Sequence, residues 1–184
     1  MRGRGRLALL GVIVVAVVAA TAGVAGWLLA RDDDSQATGP TDSSGATLAT
    51  TGRELAQKAA PVGHVVYWVG PVQRRRYELT YTEDGRAYVR YLPPTVELGD
   101  SRPGFVTVGT YLLENAFTIT RATSLRKDAR RVKAPAGAIA FYTTARPQSV
   151  YLAYEGSDLQ IEVYHPTPRE ARRLVETGEV RPVG

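Results

Sequence analysis

The 184-residue sequence predicts an α+β fold: an N-terminal transmembrane helix, then an antiparallel sheet of about six strands with helices on one face. Three observations lead to this prediction. An uninterrupted apolar run covers residues 7–30, short segments rich in β-branched and aromatic residues recur between 64 and 165, and two longer segments with helical spacing interrupt and follow them. What remains after the apolar run has the length of one ordinary domain.

Residues 7–30 are long enough to cross a membrane. The segment carries no charge, and a helix of this length spans about 36 Å, more than the hydrocarbon core of about 30 Å. Arg31 and three aspartates follow directly, and Trp27 stands at the depth of the membrane interface. The pattern predicts an uncleaved signal anchor.

A cleaved signal peptide is the competing prediction. MRGRGR would be its basic region, residues 7–19 its apolar region and Ala20-Thr21-Ala22 its cleavage site. Cleavage after Ala22 would leave the apolar sequence GVAGWLLA at the new amino end. That apolar remnant favours the anchor.

The charges on the two sides of the span predict its orientation. Arg2, Arg4 and Arg6 precede the span and only Arg31 follows it, so the positive-inside rule places the amino end in the cytoplasm. We therefore expect a single-pass protein of the cell membrane, with a cytoplasmic stub at 1–6 and a transmembrane helix at 7–30. Residues 31–49, rich in Ser, Thr, Gly, Pro and Asp, predict a flexible linker. An extracytoplasmic α+β domain would then occupy residues 50–184.

The first half of this domain contains one short helix and four segments that resemble strands. Thr51 and Glu54 have the spacing of a capping box, and Pro61 ends the helix that they begin. HVVYWV at 64–69 predicts a strand, and RYELTYT and RAYVRYL flank Asp84-Gly85, a hairpin signal. FVTVGTY at 105–111 predicts a further strand, before a helix at about 113–127.

The second half repeats the order of strands and helix. AIAFYTT, SVYLAYE and LQIEVYH predict three strands, and PREARRLVET predicts a last helix with Pro168 in its first turn and Gly178 after its end. Three strands and a helix, twice over, suggest a duplicated βββα unit. Residues 77–93 laid without gaps on 150–166 match at Leu79 with Leu152 and Tyr91 with Tyr164, which is a weak similarity.

The composition adds a resemblance. Arginine outnumbers lysine 20 to 3, as in proteins of GC-rich genomes, because arginine codons are GC-rich. With its single span and the segments YVRYLP, VGTY and IEVYHP, the chain resembles uncharacterised membrane-anchored proteins of actinobacteria. The resemblance implies no known activity, cofactor or site residue.

Several enzyme classes lack their motifs in this sequence. With no cysteine, thiol catalysis, disulfide exchange and cysteine metal sites are excluded, and no P-loop, GxGxxG, GxSxG or HExxH motif is present. His64 and His165 lack the spacing of metal ligands, so we expect no metal and no cofactor. Carboxylates that could pair across strands, as in glycan hydrolysis, are Glu78, Glu155, Asp158 and Glu162. Because solvated acidic faces are commoner, we expect a protein that is not an enzyme.

The tyrosines and the positive charge supply the candidate contact residues. Tyr77, Tyr81, Tyr154 and Tyr164 predict core packing, with an aromatic binding face for sugar or peptide as the alternative. The net charge of +5 belongs to the outer domain, because residues 1–49 hold four arginines and four aspartates. Basic residues cluster at 126–133 and 169–173, and in a predicted loop that holds the possible contacts with an anionic surface or partner, Arg74, Arg75 and Arg76.

These expectations combine into a membrane-anchored, extracytoplasmic binding or interaction domain of the cell envelope. Its partner would be an unidentified envelope protein or an anionic envelope component, and not nucleic acid, which is scarce outside the membrane. The alternatives are a cell-wall glycan enzyme with a carboxylate site and a structural subunit of a membrane complex.

The anchor can be tested on the full-length protein. We expect it to remain in the membrane fraction after a carbonate wash and to keep its first residues, Met1 or Arg2, as its amino end. Membrane fractionation and amino-terminal sequencing measure both. Soluble protein that begins at Gly23 would establish cleavage instead.

Overall fold

The computed structural model describes residues 43–184, which belong to one compact unit. The predicted cytoplasmic stub, the predicted transmembrane helix and the linker up to residue 42 lie outside the described residues. In the part that is described, every helix is too short or too polar to cross a membrane.

Ten strands and three α-helices lie within residues 43–184. The helices are α1 (Gly52–Ala59), α2 (Ala116–Thr123) and α3 (Pro168–Glu176). The strands are β1 (Ser43–Ala49), β2 (Tyr67–Trp68), β3 (Arg76–Thr82), β4 (Arg86–Leu92), β5 (Thr107–Leu112), β6 (Ala129–Val132), β7 (Ala138–Thr143), β8 (Ser149–Tyr154), β9 (Leu159–Tyr164) and β10 (Arg181–Pro182).

Eight of these strands form one antiparallel sheet in the order β1-β3-β4-β5-β9-β8-β7-β6. β2 and β10 pair separately as a short ribbon. The α+β prediction with a large antiparallel sheet is confirmed, but the strand count of about six is too low.

The strand order is symmetric about the β5–β9 pair. β3-β4-β5 precedes α2, and β7-β8-β9 precedes α3, so the order of elements repeats as the sequence suggested. The equivalent hairpins in this arrangement are β3–β4 and β7–β8. The alignment of 77–93 with 150–166 instead laid β3–β4 on β8–β9, so its register was wrong by one strand.

Two of the sheet strands were missed in the sequence, and both lie at edges. The composition of β1, SSGATLA, predicts a linker because it has no aromatic residue, yet the strand pairs with β3 and its Ala49 is fully buried. β6, ARRV, was hidden in a basic cluster. Each owes its extended shape to the hydrogen bonds of the neighbouring strand, which no local pattern reports. The folded domain therefore includes residues 43–49, which lie before the predicted boundary at 50.

Helices cover both faces of the sheet, which corrects the prediction of helices on one face. One face, here called the apolar face, carries rows such as Val89, Val108, Val163 and Val150 and packs against α1, α3 and the β2–β10 ribbon. On the other, the polar face, the Gln160 side chain donates to Thr120 of α2 at 2.8 Å. As a result β8 is buried at five successive positions rather than at alternate ones.

Local helix signals were largely correct. Thr51 accepts from the Glu54 backbone N–H at 3.1 Å, and the Glu54 carboxylate accepts from the Thr50 N–H at 2.8 Å, which closes the predicted capping box one residue early. α3 begins at Pro168 and is followed by Gly178 with φ 71°. α2 is shorter than the predicted 113–127.

Removal of β1 should destabilise the domain. A chain that begins at Thr50 loses a whole edge strand and leaves the outer edge of β3 unpaired, whereas a chain that begins at residue 36 keeps both. We expect the shorter chain to unfold several degrees lower in thermal denaturation, since about 1 kcal/mol shifts the midpoint of a domain this size by about 4 °C. Equal midpoints would show that β1 adds no stability.

Candidate functional site

The three consecutive arginines do not act as one group. Arg74 and Arg75 are exposed in the loop between β2 and β3, and Arg74 has a left-handed backbone with φ 57°. Arg76 begins β3, and its Nη2 donates to the Val96 carbonyl at 2.6 Å. Arg76 therefore lies at the start of a strand and bonds to the backbone, whereas the sequence predicts it in a loop with Arg74 and Arg75.

The loop that Arg76 contacts, residues 93–106, is also held by Arg90. The Arg90 guanidinium lies 3.1 Å from Glu78 Oε2 on the neighbouring strand, donates to the carbonyls of Asp100 and Arg102, and lies 5.3 Å from the centre of the Phe105 ring. Two arginines of the sheet thus fasten one loop. Glu78 belongs to this structural arrangement and not to a site open to a substrate.

Ionisation in this loop follows from its contacts. Burial raises the pKa of Glu78, and the charge of Arg90 only partly offsets that rise. Hydrogen bonds from the Arg102 side chain and backbone lower the pKa of Asp100 to about 2. The Asp100–Arg102 pair therefore remains ionised through ordinary pH.

Glu162 lies at the centre of the polar face, where three hydroxyls donate to its carboxylate. Tyr111 Oη lies 2.6 Å from Oε2, while Ser149 Oγ and Tyr151 Oη lie 2.7 and 3.4 Å from Oε1. Gly109, directly opposite Glu162, makes room for this contact, since a Cβ there would overlap the Tyr111 hydroxyl. The sequence identified Glu162 but not its hydroxyl partners, of which Tyr111 lies 51 residues away in the chain.

The four candidate carboxylates are not brought together as one acid–base site. Glu78 and Glu162 are three strand spacings apart, about 14 Å, whereas glycosidase carboxylates lie about 5 to 9.5 Å apart. Glu155 and Asp158 line a groove of about 430 Å³ together with Arg121, which lies in the last turn of α2. Asp158 accepts the Asn115 N–H there at 2.8 Å, so it fixes the helix to the β8–β9 turn.

The candidate tyrosines serve mainly in packing. Tyr77 contacts Trp68 and Tyr91 edge to face, at 5.5 and 5.3 Å between ring centres, and Tyr154 stacks on Tyr67 at 5.9 Å. These rings lie on the apolar face, whereas Tyr164 projects from the polar face opposite Ser149. The four tyrosines do not form a common binding face.

Both histidines bond to the backbone. The two ring nitrogens of His64 lie 2.9 Å from the carbonyls of Val65 and Gly85, and His165 Nδ1 accepts the Thr167 N–H at 2.9 Å. Between residues 43 and 184, no three His, Asp or Glu side chains form a group that could hold a metal ion.

A different basic surface forms at the β6 edge of the sheet. Arg130 of β6 is directly opposite Tyr142 of β7, and the Arg172 guanidinium of α3 lies 5.0 Å from the centre of the Tyr142 ring. The cations of this surface, here called the basic edge, are the exposed Lys127, Arg130, Arg131 and Lys133 together with the half-buried Arg172.

The charges of the basic edge are not neutralised by neighbouring carboxylates. Asp128, the acidic residue within the cluster 126–133, pairs with Arg126 at 3.2 Å. Within residues 43–184, none of the five cations forms an ion pair. Elsewhere in the domain Lys58, Arg90 and Arg102 each have a carboxylate partner. The sequence located both parent clusters, 126–133 and 169–173, but only the packing of α3 beside β6 joins them.

Comparisons with protein-family models, curated proteins and solved structures find no match to this chain.

The divided arginine cluster gives a stability prediction. Arg76→Ala should lower the free energy of unfolding by about 1–3 kcal/mol, because it leaves the Val96 carbonyl without its charged donor. The matched double variant Arg74→Ala/Arg75→Ala should change it by less than about 0.5 kcal/mol, since both side chains are exposed. Urea denaturation compares the two. A larger loss in the double variant would contradict this assignment.

Proposed function

We propose that this protein is a membrane-anchored domain on the outer side of the cell membrane, and that it acts by binding an acidic partner at the basic edge. The apolar run at 7–30 and the arginines before it support the anchor and its orientation. The partner would be a protein or an anionic component of the cell envelope.

The observation that carries the proposal is the group of cations without ion pairs on β6, on the residues that flank it and on α3. Five cations at one surface produce a positive potential that fixed carboxylates do not cancel. Arg172 is also held over Tyr142, so less side-chain entropy is lost when it binds an anion. Arginine forms bidentate hydrogen bonds with carboxylate and phosphate, which suits it to either kind of acidic partner.

Two other functions, a glycan-cleaving enzyme and a structural subunit of a membrane complex, predict different experimental outcomes. A glycan-cleaving enzyme needs two carboxylates at a suitable separation, and the Glu78–Glu162 spacing does not favour it. Glu162→Gln and an assay on cell-wall glycans would test that alternative. A structural subunit of a membrane complex would show itself by co-purification of a stoichiometric partner with the anchored protein.

Variants of the basic edge test the proposed function. In the full-length protein in detergent, Arg130→Gln/Arg172→Gln should weaken binding to polyglutamate or polyphosphate by up to about 2 kcal/mol, because each arginine close to an anionic surface contributes about 1 kcal/mol. Binding should also fall as salt is raised, since charges in water are screened beyond about 8–10 Å. Titration at low and high salt measures both effects.

Arg74→Gln/Arg75→Gln is the matched control, because it removes two exposed arginines from a different loop. We expect it to bind nearly as the unaltered protein does. A greater loss in this control would move the contact to the β2–β3 loop. Absence of salt-dependent binding in the unaltered protein would overturn the proposed function.

A further inference from the structure

The outer edge of β6 carries backbone groups that face away from the sheet. β6 is the last strand of the sheet order and pairs only with β7 among the described strands. The Thr144 N–H donates to the Asp128 carbonyl at 2.9 Å, and in an antiparallel pair this places every second residue toward the partner strand. Arg130 and Val132 therefore bond to β7, while the N–H and C=O of Arg131 and Lys133 point outward.

The open part of this edge begins at Arg131. Two residues earlier, the Ala129 N–H donates to the Arg126 carbonyl at 3.1 Å, and the Ala129 carbonyl accepts from Arg130 Nη1 at 2.8 Å. These contacts satisfy the outward groups of Ala129. An added strand would thus pair with residues 131–133.

We propose that β6 binds an extended acidic segment of a protein partner, which adds as a further strand along residues 131–133 of the basic edge. This inference rests on the proposed function and specifies the chemical class of its partner. Backbone hydrogen bonds would supply part of the affinity, and side-chain charge would supply the selectivity.

Charge lies on both sides of the edge strand. Arg130 projects on the apolar-face side next to Tyr142, and Arg131 projects on the polar-face side, where its Nε contacts Ser124 Oγ at 3.3 Å. Side chains of an added strand would alternate between the same two sides, so acidic residues placed at every second position would meet a cation on whichever side they lie. A second copy of β6 would place arginines opposite arginines, so self-pairing is disfavoured while an acidic strand is favoured.

The probe is the peptide Glu-Val-Glu-Val-Glu-Val-Glu, capped at both ends and titrated into the full-length protein in detergent. Two control peptides have the same sequence: one is N-methylated at the valines and the other is N-methylated at the glutamates. Each keeps the charge of the probe but lacks alternate N–H donors. We expect the unmodified peptide to bind, and one methylated version to bind at least about tenfold more weakly, since one set of N–H groups must face β6. Equal binding of all three peptides would overturn strand addition.

Two variants at one position separate backbone from charge. Arg131→Ala removes the guanidinium and should weaken peptide binding about three- to tenfold. Arg131→Pro removes the outward N–H as well, without loss of a β6–β7 hydrogen bond, and should weaken it about tenfold further. Equal affinities of the two variants would overturn the proposal, and the methylated peptides decide it independently if the proline variant is unstable.

Binding of polyglutamate and polyphosphate separates a failure of the strand proposal from a failure of the proposed function on which it rests. Binding of polyphosphate with no binding of the peptide would keep the acidic partner and overturn the peptide strand. Lack of binding to the peptide, polyglutamate and polyphosphate alike would overturn both.

Discussion

The pairing of β5 with β9 is the contact on which the rest of the structure depends. Six residue pairs, from Thr107 with Tyr164 to Leu112 with Leu159, join two four-stranded halves into one sheet. Through this seam the valine row of the apolar face runs without interruption from β4 to β8, and α1 and α3 share one core. Without the seam each half would expose an apolar edge. The symmetric strand order and the common core therefore both depend on this one pairing.

The seam is also where the sheet places its central buried charge. Glu162 of β9 receives the hydroxyl of Tyr111 from β5, 51 residues away in the chain, and the hydroxyls of Ser149 and Tyr151 from β8. A slip of one residue would turn this carboxylate toward the valine row and away from its donors. The polar contact therefore specifies one register, while the apolar rows supply most of the stabilisation.

The two edge strands of the sheet differ in their position in the chain and in their side chains. β1 is the edge at which the chain from the amino-terminal segment enters, and β6 is a four-residue edge with arginines on both sides. Basic side chains on an edge strand oppose pairing with another copy. The same charge suits an acidic partner, so protection from self-association and the proposed recognition follow from one physical property. Arg76 and Arg90, in contrast, are engaged by the 93–106 loop and add little to the positive surface.

The sequence by itself determined the features that depend on neighbours in the chain. The hairpin at Asp84-Gly85, where Gly85 has φ 77°, the capping box of α1 and the Pro168 start of α3 are local, because a turn or cap is satisfied within about four residues. Only the tertiary structure decided that β1 and β6 are strands, that helices cover both faces, and that Glu162 meets Tyr111. It also separated Arg76 from Arg74 and Arg75 and brought Arg172 beside Arg130. These outcomes depend on which strands become neighbours, and antiparallel pairing joins segments whose separation along the chain leaves no local pattern.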